Sequence, residues 1–452
     1  MLYDFIVIDK KKKTPLYRQI YLSVRKAIEC GSLKKGIKLP SIRCLSDDLG
    51  VSKITVKSAY EQLCAEGYIV NKPQSGFYVE AYFANKPTLD GLMKSTEKPE
   101  KKYYLYDFSS KSIDENIINI KEWKKYVKEV LNQNYLLSSY GEPQGEEILR
   151  IALQKYSLGI RSVNTSASNI IVGAGTQTLL HLLCALLGKD KKIALADHSF
   201  IQSEYVFKSH GYTISFFDSD KYGAEISSLD RIKPDMVLIN PNFAGSSNAN
   251  MPVTRRLEII EWAKNNNAII IEDDYNGELR YKTHPMPSVQ NYDSENTVYL
   301  GSFSKVLLPS VRISYMVLPD KLIKKYQKIK NLTNQTASKV EQIALANYIN
   351  NNKIDVHLRK ARRVYLEKSN IMLKSAEKYF GDKAEIIFNE TSLYTALKLK
   401  AECRNDIVNI IEKNSIKIMQ YNKDLNTLVL SFSGISDCKI EAGIKLLSET
   451  LY

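Results

Sequence analysis

The stretch Gly301–Met316, GSFSKVLLPSVRISYM, follows the β-rich run NTVYL and sets Lys305 among small hydroxyl residues, with Arg312 seven positions later. Chain folding alone gives no reason for that arrangement. A lysine at the carboxyl end of a buried strand loses hydration, which disfavours its charge and leaves the nucleophilic free amine that a Schiff-base lysine needs. Lys305 is therefore a candidate for covalent chemistry with an aldehyde. Ser302, Ser304 and Arg312 offer hydroxyl groups and a fork of N–H donors suited to a phosphate. A single lysine beside serines is usually plain surface, so the rest of the chain has to supply its company.

Upstream and downstream, apolar runs alternate with helical patterns. NIIVGAGTQTLLHLLCALL (Asn169–Leu187) reads as strand, tight glycine turn and helix; PDMVLINP, NAIIIEDDY and NTVYLGSFSK are β-rich runs separated by helical stretches such as TRRLEIIEWAKNN. That rhythm predicts an α/β domain with a mostly parallel sheet flanked by helices, and ligands beyond the carboxyl ends of its strands. Gly175, Thr176 and Gln177 open a helix there, where free N–H groups and the helix dipole favour a phosphate. Asp273 and Tyr275 end NAIIIEDDY; a buried carboxylate needs a cationic or proton-bearing partner, and a pyridinium nitrogen is one. Asp274 reads as an N-cap or surface acid.

The first eighty residues are different in kind. Residues 1–80 hold 14 Lys and Arg against 8 Asp and Glu, in a chain of 452 residues with a net charge of +14. The excess is several times denser per residue than in the remainder, which points to a polyanionic partner. Thr14 and Pro15 are expected to open a helix as N-cap and first residue, with Leu16, Ile20, Val24 and Ile28 on one face. SIRCLSDDLG predicts a short helix closed by Gly50, and VSKITVKSAYEQL a second one capped by Ser52, with Val56, Tyr60 and Leu63 inward. Two such helices joined by GVS make a helix-turn-helix. GYIVNKPQSGFYVE then reads as two strands around a turn, a wing. Residues 81–102 have a linker's composition.

Composition bounds the remaining possibilities. The amino terminus, MLYDFIVIDKKKK, has no signal-peptide pattern, and no uncharged run approaches the roughly 20 residues needed to span a bilayer. A cytoplasmic protein is expected. Six scattered cysteines (Cys30, Cys44, Cys64, Cys184, Cys403, Cys438) without a C-x-x-C pair predict reduced, mostly buried thiols and no metal site.

The framework LPSIRCLSDDLGVSKITVKSAYEQLCAEGYI…SGFYV resembles the winged-helix domain of GntR-type bacterial transcription regulators. The remainder, through PQG, IVGAGTQ, MPVTRR, IEDDY and GSFSKVLLPSVRISYMVLP, is similar to the fold-type I aminotransferases. Together they resemble the MocR-type regulators of the GntR family, including GabR-like and PdxR-like members. The resemblance implies a winged helix-turn-helix over 1–80, a linker over 81–105, and an effector domain over 106–452 with a small C-terminal α+β subdomain. It implies a homodimer and pyridoxal 5'-phosphate as cofactor. Lys305 then corresponds to the aldimine lysine, Asp273 to the partner of the pyridine nitrogen and Tyr275 to that of the ring hydroxyl. Phe200 would stack on the ring, Asn242 (or Asn240) would lie beside it, and Gly175, Thr176, Gln177, Ser302, Ser304 and Arg312 would hold the phosphate. Arg43, Ser52, Lys53, Thr55, Lys57 and, on the wing, Lys72 and Gln74 would contact double-stranded DNA.

The sequence departs from the family where a substrate's carboxylate is held. Gly434 stands where an aminotransferase has an arginine, Gln202 where GabR-like proteins have another, and the usual N-P-x-x-P-T-G turn is altered to NPNFAGSSNAN. Losing both arginines removes charge-assisted contacts that are each worth a few kcal/mol. The expectation is a regulator that senses pyridoxal phosphate itself, as in control of vitamin B6 synthesis, or an amine or amino acid through the aldimine. The alternative is a working aminotransferase carrying a DNA-binding appendage. A third reading, a large domain that has lost its cofactor and serves only for dimerisation, sits poorly with the retained Asp273, Tyr275, Lys305 and Arg312.

Overall fold

A computed structural model describes residues 6, 8, 9, 14–80, 103–109, 112–196, 201–242, 250–281, 286–388, 392–400, 406–423 and 425–452. The chain divides into two compact units, Met1–Lys102 and Tyr103–Tyr452.

In the first unit, α1 (Leu16–Glu29), α2 (Ile42–Leu49) and α3 (Lys53–Ala65) precede a hairpin of β1 (Ile69–Lys72) and β2 (Gly76–Val79). Ile20, Val24 and Ile28 of α1 pack with Leu45, Val56, Tyr60 and Leu63. Gly50 ends α2 and Ser52 caps α3 as the sequence predicts, while the N-cap of α2 is Ser41, which the sequence reading did not single out. The Ser41 hydroxyl accepts from the Cys44 amide at 3.1 Å, Ser52 accepts from Thr55 at 3.2 Å, and Gly50 closes α2 at φ 61°, ψ 39°. The start of α1 differs from expectation: Pro15 occupies the cap position and no side chain caps it. Gln19 ties the chain down instead, its Nε2 donating to the carbonyls of Thr14 (2.8 Å) and Asp9 (3.0 Å).

The second unit is built on a seven-stranded sheet. Its strands are β3 (Ile170–Gly173), β4 (Lys192–Ala196), β5 (Thr213–Phe217), β6 (Met236–Ile239), β7 (Ile269–Asp273), β8 (Thr297–Ser302) and β9 (Ser314–Val317), in the order β3-β9-β8-β7-β6-β4-β5. All neighbours are parallel except β9, which runs against both β8 and β3. Along β8, Val298 and Leu300 enter one apolar cluster while Tyr299 enters another. Both faces of the sheet are therefore covered, which is why its strands read as continuous apolar runs. The helices used below are α4 (Glu147–Arg161), α5 (Thr176–Leu187), α6 (Ile201–Ser209), α7 (Val253–Asn265), α8 (Lys353–Phe380) and α9 (Asp437–Leu451).

A four-stranded antiparallel sheet forms a smaller layer: β10 (Ala384–Phe388), β11 (Tyr394–Leu399), β12 (Gln420–Asn422) and β13 (Thr427–Ser431), ordered β10-β11-β13-β12. Helices α8 and α9 pack against each other beside it. Tyr106–Asp107 pairs in parallel with Ile416–Lys417, and the Leu105 amide donates to the Ser415 carbonyl at 2.9 Å. The cysteines correct one expectation. Of the five described, all free, Cys184 alone is buried, Cys64 is half-buried, and Cys30, Cys44 and Cys438 are exposed. Most sit on amphipathic helix surfaces rather than in a core, and apolar patterning does not distinguish the two for so small a side chain. Among the described residues no helix is long and apolar enough to cross a membrane.

Candidate functional site

Strand register brings the phosphate-type donors together. Ser302 at the end of β8 pairs with Ser314 at the start of β9, and Ser314 pairs in turn with Gly173 at the end of β3. Because β9 is antiparallel, its first residue meets the last residues of its neighbours. Arg312, two positions earlier, therefore reaches the same sheet end as the turn that opens α5. Ser314 Oγ donates to Ser302 Oγ at 2.9 Å, and Ser302 Oγ to Ser304 Oγ at 3.2 Å. Gly175 caps α5 with φ 101°, and a Cβ placed there would come within 2.5 Å of Arg312 Nη2. Arg312 itself holds a left-handed conformation, φ 53° and ψ 40°. For a residue with a Cβ that conformation costs about 1–2 kcal/mol, a strain found at sites where a side chain must be aimed. Thr176 is half-buried and Gln177 exposed on the first turn of α5.

Lys305 lies three residues beyond β8. Its Nζ donates to the Ser112 carbonyl at 3.3 Å, and burial lowers its pKa to about 8. Asp273, the last residue of β7, is pushed up to about 7, first by burial and then by the neighbouring charges of Asp274 and Glu272. No described cation or hydrogen-bond donor works in the opposite direction on it. The Tyr275 hydroxyl is raised to about 12, chiefly by burial. Together these three side chains offer a readily deprotonated amine, a carboxylate that favours a proton-bearing partner, and a phenol that stays protonated.

Beneath Asp273 lies a buried layer that the sequence did not announce. Asp274, expected as an N-cap or surface acid, is buried and salt-bridged to Arg161 at the end of α4. Arg161 Nε meets its Oδ2 at 2.6 Å, and Nη2 its Oδ1 at 2.9 Å. Tyr299 (2.6 Å) and Asn242 Nδ2 (2.6 Å) also donate to it. Burial works to raise the Asp274 pKa, but Arg161 and these donors hold it low. Asn242 Oδ1 accepts from Arg280 Nη2 at 3.5 Å, so the amide expected near the cofactor is anchored on Asp274 and Arg280. Glu272 points to the other side, where its oxygens accept from the amides of Val289 (2.9 Å) and Gln290 (3.0 Å). Gly277 is required in this layer, because a Cβ there would overlap Asp274 and stand 2.9 Å from Arg161 Nε.

Phe200 lies outside the described residues, and Gln202 is exposed on α6. Gly434 follows β13 and is packed against Ser112. A Cβ at 434 would collide with Ser112 Oγ and stand 3.0 Å from its Cβ and 3.3 Å from its carbonyl carbon. Ser112 is held there by its carbonyl, which accepts from Ser433 Oγ at 2.8 Å as well as from Lys305. Two residues on, Asp114 forms a buried ion pair with Lys368 of α8. A side chain longer than hydrogen has no room at 434 while this segment stays in place.

In the first unit, Arg43, Ser52, Lys53, Lys57, Lys72 and Gln74 are exposed and Thr55 is half-buried. Ser52 Oγ and Thr55 Oγ1 share a hydrogen bond at 2.8 Å, so part of their polarity is engaged in the cap. Lys57 leans on Glu61 (3.7 Å), and Lys72 lies 4.9 Å from the ring centre of Tyr78. Gln74 turns the wing with φ 62°.

Comparison with known proteins assigns both units. Residues 16–79 match the family described as bacterial regulatory proteins, gntR family, and residues 108–423 match aminotransferase class I and II. The HTH-type transcriptional regulator YdeL of Bacillus subtilis is 33% identical over 453 residues, covering 97% of each chain. The HTH-type pyridoxine biosynthesis transcriptional regulator PdxR of Corynebacterium glutamicum is 26% identical over 82% of this chain and 81% of its own. Among solved structures, the α-aminoadipate aminotransferase LysN of Thermus thermophilus superposes with a TM-score of 0.69. At 18% identity it covers 78% of this chain and 92% of its own, and shows the fold. Aminotransferases of this class work through pyridoxal phosphate, held by a lysine and balanced by an acid at the pyridinium nitrogen. These residues fit that cofactor: among the described residues the charges that act on Asp273 are negative, so it favours a cationic partner, Lys305 has a lowered pKa, and the Gly175 turn leaves Arg312 space that a Cβ would fill. The chain is a member of the gntR family of bacterial regulatory proteins, of the MocR type, in which a helix-turn-helix unit is followed by an aminotransferase-class domain.

Proposed function

We propose that this protein is a cytoplasmic, homodimeric transcription regulator. Its winged unit binds duplex DNA, and its aminotransferase-like unit senses pyridoxal phosphate, or an amine or amino acid through that cofactor, with little or no turnover. The observation that carries this reading is a contrast between two sets of residues. Lys305, Asp273 and Tyr275 keep the chemistry that a pyridoxal cofactor uses, while Gly434, read as the position of the carboxylate-binding arginine, is packed so closely on Ser112 that even a Cβ would collide.

Bound there, pyridoxal phosphate supplies an aldehyde for a primary amine and an electron-poor ring. Lys305 would hold the aldehyde end, Asp273 the ring nitrogen and Tyr275 the ring hydroxyl, with Asn242 anchored by Asp274; the ring-stacking role expected of Phe200 falls on a residue outside those described. Gly175, Thr176, Gln177, Ser302, Ser304 and Arg312 hold the phosphate. On DNA, Arg43, Ser52, Lys53, Thr55 and Lys57 face the groove and backbone, and Lys72 and Gln74 carry the wing contacts. The effector acts by binding one arrangement of the molecule better than another, which is what a ligand needs to shift a population. Pyridoxal phosphate itself is the first choice, supported by the missing cations and by the likeness to a regulator of pyridoxine biosynthesis. Ile148, Ile151 and Leu158 stand exposed along one face of α4, which suits a partner subunit.

A working aminotransferase is the competing reading, favoured by the retained Lys305, Asp273, Tyr275 and Arg312. The test loads the full chain with pyridoxal phosphate and supplies amino acids or amines together with a keto acid. Product formation no faster than with free cofactor is expected. Steady turnover would overturn the proposal.

A further inference from the structure

One residue at the head of the winged unit is unexplained by its fold. Ile54, the second residue of α3, keeps 75% of its surface exposed. The inward face of α3 is carried by Val56, Ala59, Tyr60 and Leu63, so Ile54 adds nothing to the core. A β-branched side chain also gives a helix less than a straight-chain residue does. Its neighbours are of another kind: Lys53 and Lys57 are exposed around it, and the Ser52 and Thr55 hydroxyls are bonded to each other at 2.8 Å. The tip of α3 therefore offers one apolar contact between two cations, with its two small hydroxyls already engaged.

Duplex DNA offers a matching surface. In a helix-turn-helix, the first residues of the second helix meet base edges in the major groove. The one methyl group on those edges is the C5 methyl of thymine, set among hydrogen-bond donors and acceptors. We propose that Ile54 packs on a thymine methyl and makes thymine the preferred base at one position of each half-site, while Lys53 and Lys57 bind flanking phosphates or guanine edges. The inference rests on the DNA-binding reading of the first unit and names what that unit recognises.

The experiment uses the full-length protein and lets it choose its own site. Sites are selected from a random-sequence duplex pool, and each thymine of the recovered site is then replaced by uracil, which removes the methyl and nothing else. The expected result is one position per half-site at which uracil weakens binding about tenfold, within the range of a single lost base contact. Ile54→Ala should bind with the same salt dependence but without discriminating thymine from uracil there, and Ile54→Val should keep most of the discrimination. Circular dichroism of each variant checks that α3 still folds. A selected site indifferent to uracil at every position, or Ile54→Ala retaining the wild-type discrimination, overturns the proposal while leaving DNA binding intact. Failure to select any sequence at low salt overturns the DNA-binding reading itself, and this inference with it.

Discussion

Lys305→Ala is expected to lose all covalent attachment of pyridoxal phosphate. Wild-type protein mixed with the cofactor and reduced with borohydride should carry one pyridoxyl group per chain on the peptide containing Lys305, and the variant none. The expectation follows from burial. An exposed lysine, with a pKa near 10.4, is almost wholly protonated at neutral pH, whereas Lys305 is lowered to about 8 because its amine is taken partly out of water. The neutral amine is the form that attacks an aldehyde. Attachment should therefore speed up as pH rises from about 6 and level off above about 8, while surface lysines keep gaining reactivity for roughly two more units. An equal yield of adduct on a different lysine in Lys305→Ala would remove this residue from the account.

Arg161→Leu is expected to cost about 3–5 kcal/mol of stability, the range found when one partner of a buried ion pair is removed. Asp274 would keep its burial and lose its cation, leaving Tyr299 and Asn242 as its donors. The chain's two tryptophans, Trp123 and Trp262, both belong to the second unit, so their fluorescence follows its unfolding in urea without interference from the first. The midpoint should fall sharply in Arg161→Leu. Adding Asp274→Asn to it should recover part of the loss, because the uncompensated charge is then gone. An unchanged midpoint in the single variant would show that the pair does not hold this layer together.

What the sequence made legible was local. Ser52 and Gly50 mark helix ends because caps are decided by residues within one turn, and the structure uses them as written. Lys305, Asp273 and Gly175 could be picked out because each sits at the end of a continuous apolar run, and in a parallel sheet those ends line up. What was illegible depends on distant partners. Arg161 and Asp274 are 113 positions apart, and nothing in IEDDY says which of three acids faces a cation. The misplacement of Asp274 at the surface came from that gap. The filling of the Gly434 position by Ser112 was equally hidden, since Ser433 and Ser112 are separated by 321 positions. The glycine suggested the absence of a cation there, but not the close packing of Ser112 against it. Ile54 escaped notice because an exposed isoleucine looks, in sequence, like one more core residue of an amphipathic helix.

On the proposed function, a pyridoxal cofactor received at Lys305 changes how the first unit holds DNA. The most direct measurement is the fluorescence anisotropy of the DNA upstream of the protein's own gene, titrated with apoprotein and with protein saturated by pyridoxal phosphate. Salt must be fixed, since phosphate contacts make the affinity steeply salt-dependent. A clear difference in affinity between the two forms is expected, and no difference when Lys305→Ala is titrated in the same way. Equally tight binding by both wild-type forms would contradict the proposed function.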